Sequence, residues 1–294
     1  ADHRIPVRAS QVGSVALALA AEVGVAGVSA PEGLSTQVAN SVAAAASDLK
    51  ATGERAVVIA GDYAEPAVHV LAHAINAPIG NSGSTVRYTE PVEAEPIDQA
   101  ASLRELVEDM NGEEVDSMIV IGVNPVYDSP ADLDFAQAMY KVGRRVHLGL
   151  DLDETGDMCQ WHIPAAHALE HWGDSRSFEG TVTLRQPLIE PIYGGRSPAE
   201  LLAMLVEDEA PTSDQLLRDY WQSRLSTGED DDFDSDWRRW VHDGFIPGTA
   251  AAEIEVAVDP AAIAVAGSAA VGEPAGELEL VLRPDPTVWD GRFN

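Results

Sequence analysis

The sequence predicts an α/β protein built on a doubly wound, mostly parallel, Rossmann-like sheet. Three observations predict it. A short apolar run, Met118 to Ile121, ends in Gly122 and is followed by Asn124, Pro125 and a helical pattern from Asp132. A continuous apolar run bounded by turn residues suits a strand covered on both faces. Between Arg55 and Leu150 such runs alternate with helical patterns, the order that builds parallel sheets through crossovers. Residues that start and stop helices also fall where the alternation needs them.

Taken in order, Ile5 to Arg8 reads as a short strand and Ser10 to Glu22 as an Ala/Leu-rich helix, with Ser10 as its cap. Gly24 to Gly33 is a loop. Ser35 caps a second helix to Lys50, with Val38, Val42, Ala45, Ala46 and Leu49 on one face. Ala56 to Ala60 is a strand ending in Gly61-Asp62. Pro66 opens a helix, where its missing N–H costs little, and that helix runs to about Asn76. Thr85 to Thr89 is a strand, and Asp98 to Met110 a helix stopped by Asn111-Gly112. Met118 to Ile121, Asp132 to Val142 and Arg145 to Leu150 complete a strand–helix–strand series. After Trp161 the pattern changes. Pro164 to Glu170 reads as a short helix and Thr181 to Leu188 as an extended segment. Ser197-Pro-Ala-Glu200 is a capping box for a helix to Val206. Ser213 to Leu225 and Asp234 to Val241 are helices flanking an acidic loop, Gly228 to Asp232. Ala252 to Val258 and Glu277 to Arg283 read as strands, with a small-residue stretch, Gly267 to Gly276, between them.

At 294 residues the chain suits one large or two ordinary domains. A domain of that size buries roughly 75% of the unfolded chain's surface, so it needs no stapling. A single cysteine, Cys159, excludes an internal disulfide and any CxxC metal or iron–sulfur framework. It is expected to be buried and inert, with no cationic neighbour to lower its pKa. The net charge of -31, with Lys50 and Lys141 the sole lysines, repels phosphate backbones and anionic membranes. The acid is spread along the whole chain, as in proteins of salt-adapted organisms, where salt screens the self-repulsion. No run of 18 apolar residues occurs, so no direct membrane insertion is expected. The opening Ala-Asp-His-Arg-Ile-Pro-Val-Arg carries neither an initiator Met nor a signal-peptide pattern, and reads as a start inside a domain.

Several segments carry a resemblance. Trp172-Gly-Asp174 and the run from Gly180 through Gln186-Pro-Leu-Ile-Glu-Pro-Ile-Tyr-Gly-Gly195 to Glu200 resemble the molybdopterin-oxidoreductase-like region of the B subunit of alternative complex III, which has the dimethyl sulfoxide reductase superfamily fold. So do Asn76 to Val86, Gly122 to Pro125, His162 to His167 and Arg283 to Phe293. The resemblance spans nearly all of the chain. It implies that 35–160 is a Rossmann-like domain inserted in a second α/β domain made of 1–34 and 161–294, whose upstream half is absent. It further implies a subunit of a respiratory quinol-oxidising complex on the periplasmic side of the bacterial inner membrane. The resemblance implies a scaffold without molybdenum, with the other subunits of the complex as partners. A truncated sheet is expected to expose an apolar edge and to favour self-association.

The less favoured implication is a bound molybdopterin guanine dinucleotide. The positions matching the superfamily's cofactor loops are Gly61 and Asp62, Gly122, Asn124 and Pro125, and Asp151. Gly122 lets backbone approach a ligand, and Asn124 offers a donor and an acceptor to a ring edge. Against it, the sequence has no phosphate-cradling Gly-rich loop with a basic partner. A free-standing nucleotide-binding α/β protein is the third reading. The histidines His69 and His73, and His162, His167 and His171, are weighed as metal ligands and set aside for want of further ligands at defined spacing. Glu190, Tyr193 and Arg196 are expected to hold the Gly194-Gly195 turn. No catalytic residue and no metal site is assigned.

Overall fold

The computed structural model describes residues 2–206, 210–225, 232–270, 276 and 278–289. The chain is mixed α/β and divides into two compact units, Ala1–Glu90 with Ala252–Asn294, and Pro91–Ala251. The expected inserted segment 35–160 has residues in both.

The first unit is built on helices α1 (Val12–Val23), α2 (Thr36–Thr52) and α3 (Pro66–Asn76). Helix α1 follows a 3-10 turn, Ala9–Gln11, and the Ser10 hydroxyl bonds Glu279 at 2.5 Å instead of capping. Ser35 caps α2 by accepting from the Val38 N–H, and Pro66 stands at the start of α3. Leu17, Ala20, Leu71, Ala74 and Ile75 form the core, with Ala266 and Ala270 from the far end of the chain. Gly13 allows that approach: a Cβ there would sit 2.3 Å from the Ala270 carbonyl oxygen.

The expected strand Ala56 to Ala60 is not part of a sheet, and the reason is local. The Asn76 side chain accepts from the Val58 N–H and donates to the Val58 carbonyl, both at 2.9 Å, as a neighbouring strand would. Asn81, fully buried, donates to the Ala56 carbonyl at 2.7 Å and to Asn76 Oδ1 at 2.9 Å. The expected strand Thr85 to Thr89 is reduced to isolated bridges, Ser82 with Val86 and Thr89 with Glu253. The expected strand Ile5 to Arg8 is likewise irregular.

The second unit holds two sheets. Helix α4 (Gln99–Asn111), capped by Asp98, precedes β1 (Ser117–Ile121). Two short helices follow, α5 (Pro125–Asp128) and α6 (Phe135–Tyr140), and then β2 (Arg144–Gly149). The single helix expected over Asp132 to Val142 starts late because Asp134 is left-handed, with φ 47°. A one-turn helix, α7 (Glu154–Asp157), leads into β3 (Trp161–Pro164). The order β1-β2-β3 is parallel throughout. Met118 and Val120 of β1 face Val107 and Met110 of α4 and Phe135, Ala138 and Met139 of α6. Partners in register share a face, so Ile119 and Trp161 point the other way. Both are exposed.

The expected helix Pro164 to Glu170 is absent. Its main chain continues the sheet: the Ala165 N–H donates to Gly149, and the Ala166 N–H to Arg196. Tertiary pairing there overrides the helix propensity of an Ala/Leu stretch. The second sheet is antiparallel, β4 (Gly173–Arg176), β5 (Val182–Arg185) and β6 (Phe245–Ile246). Helices α8 (Pro198–Val206), α9 (Ser213–Leu225) and α10 (Phe233–Asp243) accompany it. Trp221, Phe233, Trp237, Trp240, Leu184 and Ile246 make its core. The capping box of α8 is present, with the Glu200 carboxylate accepting from the Ser197 N–H and Ser197 Oγ from the Glu200 N–H.

Helix α11 (Pro260–Ala269) was not anticipated, and it occupies the start of the stretch expected to be a small-residue connection; 271–275 lie outside the described residues. Neither Ala252 to Val258 nor 278–283 forms a strand, and Glu277 lies outside the described residues, as does the acidic loop apart from Asp232. Among the described residues no helix is long and apolar enough to cross a membrane.

If Asn76 stands in for a strand, Asn76→Ala leaves the half-buried Val58 N–H and carbonyl without their partner and removes one of the two acceptors of the Asn81 amide. The expected loss is about 2–4 kcal/mol of unfolding free energy, read by urea titration. A loss under about 0.5 kcal/mol, the range of a surface substitution, would contradict this.

Candidate functional site

The best-built polar cluster lies at the carboxyl ends of the parallel strands, where open α/β sheets bind ligands. The β1–β2 pairing ends with the Gly122 N–H donating to Leu148 at 2.8 Å. Gly122 is exposed and left-handed, φ 66°, and a Cβ there would meet open space. A side chain at this position would therefore be strained by backbone conformation, not by crowding.

Asn124 stands at the N-cap of α5, yet its side chain does not cap that helix. Its Oδ1 accepts from Thr155 Oγ1 at 2.7 Å, and its Nδ2 donates to Glu154 Oε2 at 2.7 Å. Thr155 is fully buried, and its hydroxyl oxygen also accepts from the Val126 N–H at 3.1 Å. One threonine thus ties the turn after β1 to the turn after β2. Pro125, at N1 of α5, fits because its position needs no N–H. The amide donated by Asn124, with the N–H of Glu154 itself, holds the Glu154 carboxyl below the usual range.

The turn after β2 carries Asp151, exposed at the bend, and Asp153, whose Oδ1 caps α7 by accepting from the Gly156 N–H at 2.8 Å. Beneath this turn lies His147, 1% exposed, paired in register with His162 of β3. Their Nδ1 atoms are 3.1 Å apart, and Asp153 Oδ1 is 3.8 Å from His147 Nδ1. The pocket around His147 is cut to size by glycines. A Cβ on Gly149 would fall 2.4 Å from its Cε1, and one on Gly156 2.8 Å from its Nδ1. Burial lowers the pKa of His147. Asp153 opposes that, His162 reinforces it, and a hydrogen bond to the Val123 backbone opposes it weakly. Half-buried Cys159 has its thiol pushed up by burial; Arg145 opposes this, a cationic neighbour that the sequence reading did not find.

Gly122, Asn124, Pro125 and Asp151 thus fall in one unit, around the ends of β1 and β2. Gly61 and Asp62 fall in the other, in an exposed turn where the Gly61 carbonyl accepts from the Ala64 N–H before α3. Of the histidines weighed as ligands, His162 pairs with His147, and three others are engaged elsewhere. His73 bonds the Tyr88 hydroxyl at 2.9 Å, His167 Nδ1 accepts from the Leu169 N–H, and His171 Nδ1 bonds the Trp172 carbonyl. Among the described residues no group of three or more His, Cys, Asp and Glu side chains is placed to hold a metal.

The Gly194-Gly195 turn is held differently from expectation. Glu190 and Tyr193 are exposed, and the turn is fixed by main chain, with the Arg196 N–H donating to Pro164 at 3.0 Å. A Cβ on Gly195 would fall 2.9 Å from the Ala165 backbone, so the two chains touch there. Glu170 adds a clamp: its carboxylate accepts from the His167 and Ile192 N–H groups, which hold it below the usual range.

The sequence reading singled out Asn124 but missed Thr155 and His147, the two buried groups that organise the cluster. Thr155 had a weak signal in Asp153-Glu-Thr-Gly156, which opens a capped turn. His147 had none, being one polar residue in a strand. No protein-family model matches the chain, and no match is found among curated protein sequences.

The linkage sign for His147 follows from its lowered pKa. The folded state prefers the neutral ring, so this contribution to stability is complete above the ordinary value of 6.5. It is lost as pH falls from there toward the lowered value. The urea midpoint should therefore drop between about pH 7.5 and pH 5.5, and drop less in His147→Gln. Equal slopes in the two proteins would contradict the assignment.

Proposed function

We propose that this chain is part of the molybdopterin-oxidoreductase-like subunit of a respiratory quinol-oxidising complex, and serves there as a scaffold that binds no molybdenum cofactor. The observation that carries the scaffold reading is the condition of Asn124. The amide that would read a pterin or guanine edge is engaged at both ends, by the buried Thr155 hydroxyl and the exposed Glu154 carboxylate. A ligand would have to break two hydrogen bonds, one to a carboxylate, before making its own. The turn facing it carries Asp151, Asp153, Glu154 and Asp157, which disfavours a pyrophosphate.

Membership in the respiratory complex rests on the sequence resemblance, above all on Gln186-Pro-Leu-Ile-Glu-Pro-Ile-Tyr-Gly-Gly195. On this reading β1, β2 and β3 belong to a doubly wound, Rossmann-like sheet. The partners are neighbouring subunits on the periplasmic side of the inner membrane, and the charge of -31 disfavours nucleic acid as a partner. A fold can outlive its chemistry in this way, because the shape of a scaffold does not depend on an occupied site.

The test uses the native protein that contains this chain. Metal analysis and pterin fluorescence should find no stoichiometric molybdenum, tungsten or pterin, and the protein should purify from membranes within an assembly that carries iron–sulfur clusters. Stoichiometric molybdenum would overturn the scaffold reading; recovery as a lone soluble protein would overturn membership. Calorimetric titration with guanosine diphosphate should show no micromolar binding. Micromolar binding that Asn124→Ala abolishes would favour a nucleotide-binding protein instead.

A further inference from the structure

The His147–His162 contact has a property that neither residue has alone. At 3.1 Å between two Nδ1 atoms, one must donate and the other accept. A pair of neutral rings can do this, and so can a pair that shares one extra proton. With two extra protons both Nδ1 atoms are donors, and the contact turns repulsive. That limit comes from geometry, and the burial of His147 leaves little water to absorb the charge.

The turn above packs directly against both rings, His147 buried and His162 half-buried. A Cβ on Gly156 would lie 2.8 Å from His147 Nδ1 and 3.2 Å from His162 Nδ1, so Gly156 rests on both rings. Gly156 adjoins Thr155, whose hydroxyl holds both Asn124 and the Val126 N–H. The path from the imidazoles to the mouth of the sheet is one residue long. The groups around the pair can be named among the described residues. Asp153 faces His147 from the turn into α7 and favours the first proton. Arg145, two residues earlier on β2, donates to the Met158 and Val142 carbonyls. Cys159 lies beyond α7, and Glu154 on α7 is engaged by Asn124. The neighbour on β1 is Val120, which carries no charge. A single carboxylate therefore stands against two rings, enough for one added charge and short of two.

The geometry points to a proton-operated latch: the second proton taken up by the His147–His162 pair drives the rings apart, lifts Gly156 and releases the hold of Thr155 on Asn124 and Val126. Acidification thus frees Asn124 Oδ1, the acceptor end that Thr155 occupies at neutral pH, while Asn124 Nδ2 keeps its bond to Glu154. The latch needs only β2, β3 and the turn into α7, and is independent of the function proposed above.

The experiment is amide hydrogen exchange, read residue by residue by NMR on the 294-residue chain, with the imidazole nitrogens titrated alongside. Protection factors at Thr155, Gly156 and Val126 should fall by about tenfold or more between pH 8 and pH 5, while core amides of α4 hold theirs. In His162→Gln the amide oxygen accepts from a protonated His147, so protection should fall several-fold less than in the unaltered chain. Asp153→Asn keeps the cap but removes the carboxylate, and should move the loss to lower pH. Flat protection in the unaltered chain would overturn the latch. So would an equal fall in His162→Gln, which would assign the effect to burial of His147 alone.

Discussion

The structure of the candidate site depends on one hydroxyl. Thr155, fully buried at the start of the short helix after β2, donates to Asn124 and accepts from Val126, and so joins the turns that follow two adjacent parallel strands. In an open α/β sheet those turns ordinarily face a ligand. Here they face each other. With Asn124 bonded at both ends, to buried Thr155 and exposed Glu154, its polar groups are taken up within the chain, and the acidic residues of the same turn discourage an anionic guest. The scaffold reading follows from that arrangement more than from composition or fold class.

The same device recurs in the first unit. Asn76 and Asn81 supply hydrogen bonds to Val58 and Ala56 that a neighbouring strand would otherwise make. Side-chain amides can do this because each carries a donor and an acceptor in fixed geometry, as a peptide group does. In both units, then, buried polar side chains close main chain that an α/β sheet would leave to strands or ligands. Each such group is costly to leave unpaired, which makes these few residues disproportionately important for stability.

What the sequence showed and what it hid divide along range. Helix starts were legible because capping is local: Ser35, Asp98 and the Ser197–Glu200 box act within three residues. The parallel pair β1 and β2 was legible from its apolar runs, but the expected cover on both faces is not seen, since Met118 and Val120 are buried and Ile119 on the other face is exposed. The strand expected at Ala56 to Ala60 was not, since Asn76 lies 18 residues away from the Val58 it satisfies. Pro164 to Glu170 read as helix because pairing with Arg196 leaves no trace in local propensity. Among site residues, Asn124 stood out by its place after Gly122. His147 and Thr155 did not, because their importance lies in partners 15 and 31 residues distant.

The central claim is that Asn124 and Thr155 act as one closed unit. A double-mutant cycle of Asn124→Ala and Thr155→Val, measured by urea unfolding at neutral pH, tests it most directly. The account predicts a coupling energy of about 1 kcal/mol or more between the two positions. Additivity within about 0.3 kcal/mol would mean that Asn124 is free to serve a ligand, and the site would have to be read as open.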